Sequence, residues 1–345
     1  MPDRIFLLHG MGVHEADWAA NEKKFLEDFC AKYAELDGGT VDQYFKIVPL
    51  EYDSVFRTYL QTLKTRTAEI AAVNTAMGGN VPGGWVDKLV EWGQQAPATD
   101  NNFLWSHAFD VILYRFAPTL RFEIHAHLAQ QIQSEIKTRQ SGETWSIVAH
   151  SLGTIVCHDL VHRWNTAQVG PIAKLGDQER PLAVMMLANV SLILQNDIKV
   201  LSGESTVQPG QACTHYINVL HRLDPITVVK PFDPSNWPSD PGERSRYAQV
   251  EVNHVQQVNI HEFLHYLRHP DVVTRLLRTL RFRGFVTDAK RAEYVTEFNK
   301  ASQLNDTQAG QVINWLQDVR DGKATNLPPF LSAYKPIVDL IAGLQ

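Results

Sequence analysis

The feature that most constrains this chain is a strand-turn-helix pattern centred on Ser151. Residues 144–148 form an apolar, β-branched run typical of a buried strand, and residues 154–160 have the spacing of a helix with one apolar face. At such a sharp bend the strand and the helix nearly touch, so small residues are needed two positions before and two after the bend. Ala149 and Gly153 meet this need. The pattern predicts a strained backbone at Ser151, with the serine hydroxyl exposed above the sheet.

A second glycine-containing turn follows the first predicted strand, residues 5–8. The segment is His9-Gly10-Met11-Gly12. Glycines directly after a buried strand permit a turn whose backbone N–H groups point outward, and such donors can stabilise an oxyanion. Alone, this segment is as typical of an ordinary turn. Together with the Ser151 pattern it is much more specific, because each segment supplies a part that the other lacks.

The order of elements predicts an α/β protein. Apolar runs at 5–8, 44–52, 144–148, 181–187 and 215–220 alternate with helical segments, which favours a mostly parallel, doubly wound sheet. We expect a core domain over residues 1–282 and a helical C-terminal extension over residues 283–345 packed on that core. Ligands of such sheets bind beyond the carboxyl ends of the strands.

The pattern changes between about residue 53 and residue 105. Gly and Pro punctuate residues 77–84, and an apolar helical stretch containing Trp85 and Trp92 follows. This composition is typical of a cap or lid over a pocket. It is equally typical of a packed helical insertion that never moves. The sequence leaves both interpretations open.

Composition excludes several classes of protein. The formal net charge of −6 over 345 residues, without a Lys/Arg-rich run, disfavours a nucleic-acid partner. Three cysteines, with no C-x-x-C spacing, suit a reducing compartment without a disulfide framework. We see no signal peptide and no apolar run of transmembrane length, so we expect a cytoplasmic protein without a transmembrane segment.

Three potential catalytic residues follow predicted strands in the order Ser151, Asp224, His261. This is the order of the α/β-hydrolase fold. Over about residues 4–282 the chain resembles the bacterial lipase/esterase-like α/β-hydrolases, a serine hydrolase superfamily. The likeness rests on residues 9–12, 149–154 and 224–226, and on His261 with the helix after it. It departs from the family at residues 189–191, where Asn-Val-Ser stands in place of the Gly-Ser-Pro often found there.

The resemblance implies a role for each matching residue. Ser151 would be the nucleophile, and Asp224 would orient the base, with Asp197 as the alternative carboxylate. The main-chain N–H groups of Met11 and Leu152 would form the oxyanion hole. We expect the substrate-binding residues to be Gly10, His150, Trp85 and Trp92. The implied activity is hydrolysis of small carboxylic esters with an apolar acyl group through an acyl-enzyme, with no cofactor and no metal.

The base must be chosen among His254, His261 and His265. It has to reach Ser151 and Asp224 at once, so it needs a loop at the strand ends. His254 lies within a strand-like stretch, and His265 lies in the first turn of a helix. We therefore predict that His261 is the base, with His265 the second candidate.

Other interpretations remain. Residues 261–265, His-Glu-Phe-Leu-His, match the HExxH pattern of zinc proteases, although Arg268 and Pro270 stand where such a helix continues differently. The same triad would also serve amide or peptide hydrolysis, or acyl transfer if water were excluded. A non-catalytic binding scaffold would have no need of an intact Ser-Asp-His set.

Overall fold

The structure is a computed structural model and carries side chains. It describes residues 2–10, 17–36, 39–76, 114, 117–166, 179–191, 207, 209–210, 212–222, 224, 227, 231–234, 246–256, 260–281 and 285–300. Within these ranges the chain forms an α/β architecture built on one six-stranded sheet. All of its strand pairs are parallel.

The six strands lie in the spatial order β2-β1-β3-β4-β5-β6. Their bounds are β1 Asp3–Leu8, β2 Phe45–Leu50, β3 Trp145–His150, β4 Ala183–Leu187, β5 His215–His221 and β6 Tyr247–Val252. The strands β1, β3 and β4 are buried along their whole length. Such central strands of a parallel sheet are covered on both faces and have continuous apolar runs. The sequence alternates over residues 250–260, which predicts a strand-like stretch there; the sixth strand instead begins earlier, at Tyr247, and ends at Val252.

The predicted doubly wound sheet is wrong, and the sheet is entirely rather than mostly parallel over the described strands. From β3 onward each new strand is added on the same side, through β4 and β5 to β6, and β2 stands alone beyond β1. In a doubly wound sheet the chain adds strands on both sides of the first strand, whereas here only β2 lies on the far side of β1. The alternation of strands and helices predicts parallel pairing, but it does not indicate on which side each crossover places the next strand.

Seven α-helices are described in the ranges given above. Their bounds are α1 Ala20–Tyr33, α2 Asp53–Ala76, α3 Pro118–Ile136, α4 Leu152–Asn165, α5 Phe263–Leu267, α6 Pro270–Arg281 and α7 Asp288–Lys300. A short 3-10 turn, Val41–Gln43, precedes β2. No helix in this part of the chain is both long and apolar enough to cross a membrane.

Alternate side chains of β1 enter two separate hydrophobic cores. Phe6 and Leu8 pack with residues of α3 and α4. Ile5 and Leu7 pack with residues of α1, α5 and α6 on the opposite face. Because successive side chains of a strand point to opposite faces, one strand contributes to both cores. The sheet is thus a middle layer between the two cores. The polar residues described below lie at its edge, where the strands have their carboxyl ends.

The predicted insertion and extension are described only in part. The helix α2 covers the first portion of the insertion, and α7 covers part of the extension. Tyr294 of α7 packs against Phe29 and Tyr33 of α1, and the Lys32 Nζ lies 2.7 Å from the Glu297 Oε1. Residues 77–105 and 301–345 lie outside the described residues.

Candidate active site

The bend at Ser151 has the strained backbone that the sequence predicts. Ser151 follows β3 directly and precedes Leu152, the first residue of α4, with φ 53° and ψ −126°. A positive φ is uncommon for a residue with a Cβ and marks stored strain. The side chain is less open than the sequence predicts: Ser151 is 2% exposed, and its hydroxyl is in contact with the His261 ring nitrogen.

Close approach of backbone to backbone explains the glycines on either side of the serine. A Cβ on Gly153 would overlap the His9 carbonyl oxygen and lie 2.9 Å from that of Leu8. A Cβ on Gly10 would lie 2.9 Å from the Ser151 Cβ. The start of α4 therefore packs directly against the end of β1. Gly10 lies directly beside Ser151.

The three residues singled out from the sequence lie in one hydrogen-bonded chain. The His261 Nε2 is 2.8 Å from the Ser151 Oγ, and the His261 Nδ1 is 2.5 Å from the Asp224 Oδ2. All three residues are buried. With the proton on Nδ1 held by the carboxylate, Nε2 presents a lone pair to the serine hydroxyl. This arrangement can remove the proton from Ser151 and make its oxygen nucleophilic.

Local turns bring the carboxylate and the imidazole to the same edge of the sheet. Asp224 follows β5, and its N–H donates to the His221 carbonyl at 3.0 Å. His261 lies in the turn between β6 and α5. Since parallel strands end at one edge, residues after β3, β5 and β6 converge there although 110 positions separate Ser151 from His261.

His150 contacts the backbone of the predicted base. Its Nε2 donates to the His261 carbonyl at 2.6 Å, and its ring stacks on Phe263 with centroids 5.3 Å apart. A substrate-binding role for this side chain stays a prediction. In the structure the imidazole holds in place the turn that carries His261.

Tyr266 is a site residue that sequence reasoning missed. Its hydroxyl donates to the Asp224 Oδ2 at 2.6 Å, so this oxygen accepts from both Tyr266 and His261. The ring is fully buried. A buried tyrosine hydroxyl needs a polar partner, and Tyr266 lies in the helix that begins two residues after His261. Its position so soon after His261 is the sequence signal by which Tyr266 could have been predicted.

Tyr52 and His9 bind the turn after β1. The Tyr52 hydroxyl donates to the Gly10 carbonyl at 2.7 Å and lies 3.1 Å from that of His9. The His9 Nδ1 also lies 2.6 Å from the Gly10 carbonyl oxygen, and the two rings stack with centroids 4.4 Å apart. The Gly10 carbonyl is thus held from two sides, which restrains the backbone beside Ser151.

The two histidines of the HExxH pattern have separate surroundings. His261 contacts Ser151 and Asp224, whereas His265 lies against His221 and His254. Glu262 precedes α5 and is not within it. A zinc-protease helix needs both imidazoles on one face and aimed at one ion, and this arrangement does not provide that.

The imidazoles of His221, His254 and His265 are buried and lie close enough together to be considered as ligands of one metal ion. One ring nitrogen from each lies within 4.8 Å of those of the other two. Ligand nitrogens around tetrahedral zinc lie about 3.4 Å apart, with their lone pairs aimed at one point. The His254 and His265 rings stack at 4.1 Å and 13°, so their in-plane lone pairs run side by side. The geometry fits packed neutral rings and does not fit a metal centre.

Burial and neighbouring imidazoles keep this cluster neutral. They lower the pKa of His254 to about 2 and that of His265 to about 3. The His221 Nε2 donates to the His254 carbonyl at 2.6 Å, and the His254 Nε2 to the His265 carbonyl at 3.1 Å. These hydrogen bonds therefore join the end of β5 to the segment after β6, and that segment to α5, next to Asp224.

Several predicted residues lie outside the described part of the chain. They are Met11, Trp85, Trp92 and the alternative carboxylate Asp197. Leu152 is described and buried as the first residue of α4. Its N–H belongs to the first turn of a helix, where N–H groups have no partner within the helix itself.

Comparison of the chain with models of known protein families found no match, and comparison with curated proteins also found none.

Proposed function

We propose that this protein is a serine hydrolase with the α/β-hydrolase fold, and that it cleaves carboxylic esters. The observation that carries the proposal is the chain from the Ser151 Oγ to the His261 Nε2, 2.8 Å, and from the His261 Nδ1 to the Asp224 Oδ2, 2.5 Å. The parallel sheet and the Ser, Asp, His order along the sequence also support that fold.

In the proposed reaction His261 carries one proton in each half: that of Ser151 to the leaving group, and then one from water back to Ser151. As a neutral base it takes the Ser151 hydroxyl proton on Nε2 while the serine oxygen bonds to the ester carbonyl carbon. When the tetrahedral intermediate collapses, the bond to the leaving alkoxide breaks and Nε2 returns the proton to it as an alcohol. Water then attacks the acyl-enzyme by the same route, releasing a carboxylic acid and restoring Ser151.

The negative charge on the intermediate needs donors that are already in place. The Leu152 N–H, at the start of α4, is one such donor, and the positive end of the helix dipole lies there. The second proposed donor is the N–H of Met11, which follows the restrained Gly10 carbonyl in the sequence. An apolar acyl group is our proposal for the substrate, and it rests on the sequence of the insertion.

A fluorophosphonate probe tests the proposal, because it reacts readily with the activated serine of a serine hydrolase and hardly at all with ordinary serines. We expect the probe to label the wild-type protein, with the label on the tryptic peptide that contains Ser151. The Ser151→Ala variant should lose both labelling and hydrolysis of nitrophenyl esters from acetate to palmitate. In a comparable triad, loss of the serine lowers kcat by about a million-fold.

A matched control is Ser146→Ala, which removes another buried serine hydroxyl from β3. This variant should be labelled like the wild type. Labelling that persists in Ser151→Ala, or no labelling of well-folded wild type, would overturn the proposal. Turnover of amides but not esters would retain the triad and replace the substrate class.

A further inference from the structure

We propose that Tyr266 is a positioning residue for the proposed hydrolase: it holds the Asp224 carboxylate and moderates the charge that this carboxylate presents to His261. The inference rests on the proposed function and adds a regulating contact to the same site. Its basis is that one oxygen, the Asp224 Oδ2, lies 2.6 Å from the Tyr266 hydroxyl and 2.5 Å from the His261 Nδ1.

The two donors come from one short stretch of chain. His261 lies in the turn before α5, and Tyr266 lies within α5. The Tyr266 N–H donates to the Glu262 carbonyl at 3.3 Å, and the His150 ring holds the His261 carbonyl at 2.6 Å. The stretch therefore docks on Asp224 as a unit, with the phenol and the imidazole side by side on one carboxylate oxygen.

Tyr266 acts as a donor over the whole working range of pH. Burial, together with the neighbouring Asp224 carboxylate, raises the pKa of Tyr266 well above its ordinary value. A protonated phenol can only donate to an ionised carboxylate. It therefore stabilises the negative charge on Asp224 and makes that carboxylate a weaker partner for the protonated form of His261.

The other titratable groups near Asp224 and His261 do not change this reasoning. His150 lies at the end of β3, His221 at the end of β5, and His265 in α5. Burial lowers the pKa of His221 and of His265, so both stay neutral near pH 7. Glu262, next to His261 in the chain, is exposed to solvent, which screens its charge.

The direction in which removal of the Tyr266 hydroxyl shifts the pH dependence of the rate can be predicted. Without Tyr266 as a donor, more of the negative charge on Asp224 acts on His261, and this charge stabilises the imidazolium relative to the neutral ring. The labelling rate of the variant should therefore begin to fall at a higher pH than that of the wild type. The orientation of the carboxylate is also less restrained, so the rate falls even where His261 is neutral.

The experiment compares the rate constant for fluorophosphonate labelling from pH 5.5 to 9 in wild type, Tyr266→Phe and Tyr33→Phe. Phenylalanine retains the ring that packs near His150, so the variant should fold, and its Tm verifies this. Tyr33→Phe is the matched control, since the Tyr33 hydroxyl also donates to a carboxylate at 2.6 Å, on Glu297 in α7. The low-field proton NMR signal of the His261 Nδ1–H follows the same titration independently.

For Tyr266→Phe we expect the plateau rate to fall between threefold and thirtyfold. The acid limb of the profile should move up by about half to one pH unit. Tyr33→Phe should match the wild type in both respects. A slower plateau with an unmoved acid limb, or a limb that moves down, overturns the inference. Absence of labelling in wild type and Tyr33→Phe alike would instead overturn the proposed function.

Discussion

Mild acid should destabilise this protein through the histidine cluster behind Asp224. Burial holds the pKa of His254 at about 2 and that of His265 at about 3, against 6.5 for an ordinary imidazole. In the unfolded chain both take up protons below pH 6.5, whereas in the fold they do not. Their contribution to stability is therefore full above pH 6.5 and is lost progressively as the pH falls toward the folded-state values.

The size of the effect at pH 5 depends little on the folded-state values, since both lie well below 5. Each imidazole then lowers the free energy of unfolding by about 2 kcal/mol relative to pH 8. This is the 1.5 units between the pKa of an unfolded imidazole, about 6.5, and pH 5, multiplied by about 1.4 kcal/mol per unit. The two together remove about 4 kcal/mol. That is a large part of the roughly 5–15 kcal/mol that stabilises a typical domain.

Urea unfolding between pH 5 and pH 8 tests this for wild type and His254→Phe. Phenylalanine retains an aromatic ring against His265 and Phe298 and removes one titrating group. The loss of stability from pH 8 to pH 5 should be about 2 kcal/mol smaller in the variant, whatever its stability at pH 8. Equal dependence in His254→Phe and wild type would refute the reasoning.

Two further substitutions test the geometry around the serine. Gly153→Ala places a Cβ against the backbone of His9 and Leu8, so it should lower the free energy of unfolding by about 2–4 kcal/mol and slow labelling of Ser151 about a hundredfold. An unchanged Tm with a normal labelling rate would contradict the close approach. Tyr52→Phe removes a donor to the Gly10 carbonyl, so it should lower kcat for nitrophenyl esters about threefold to tenfold and leave KM nearly unchanged. A change confined to KM would show that Tyr52 does not act through this turn.

Local pattern was sufficient for several parts of the site. The bend at Ser151 could be predicted because an apolar β-branched run, two small residues and a helical period occur within 17 consecutive positions. The close approach at Gly153 follows from the same spacing. Five of the six strands were predicted from their apolar runs. The sixth was misplaced: the alternating stretch covers residues 250–260, whereas the strand covers Tyr247–Val252.

The choice of His261 over its neighbours came from an argument about strand ends, and the structure brings this residue to Ser151 and Asp224. The sequence could not predict the contacts that support it. Tyr266, His150 and Tyr52 act through partners 42, 111 and 42 positions away. Such pairs depend on how whole elements dock, and no local period encodes that.

By itself, then, the sequence determined the α/β class, the position of the bend and the order Ser, Asp, His, because each depends on residues that are neighbours along the chain or follow a run of apolar residues. Only the tertiary structure decided the strand order, the burial of Ser151 and the second donor on Asp224. Which side of the sheet a crossover takes, and which side chains meet across it, are set by packing in three dimensions. One short contact, between Tyr266 and the Asp224 Oδ2, exists only because α5 folds back onto the end of β5.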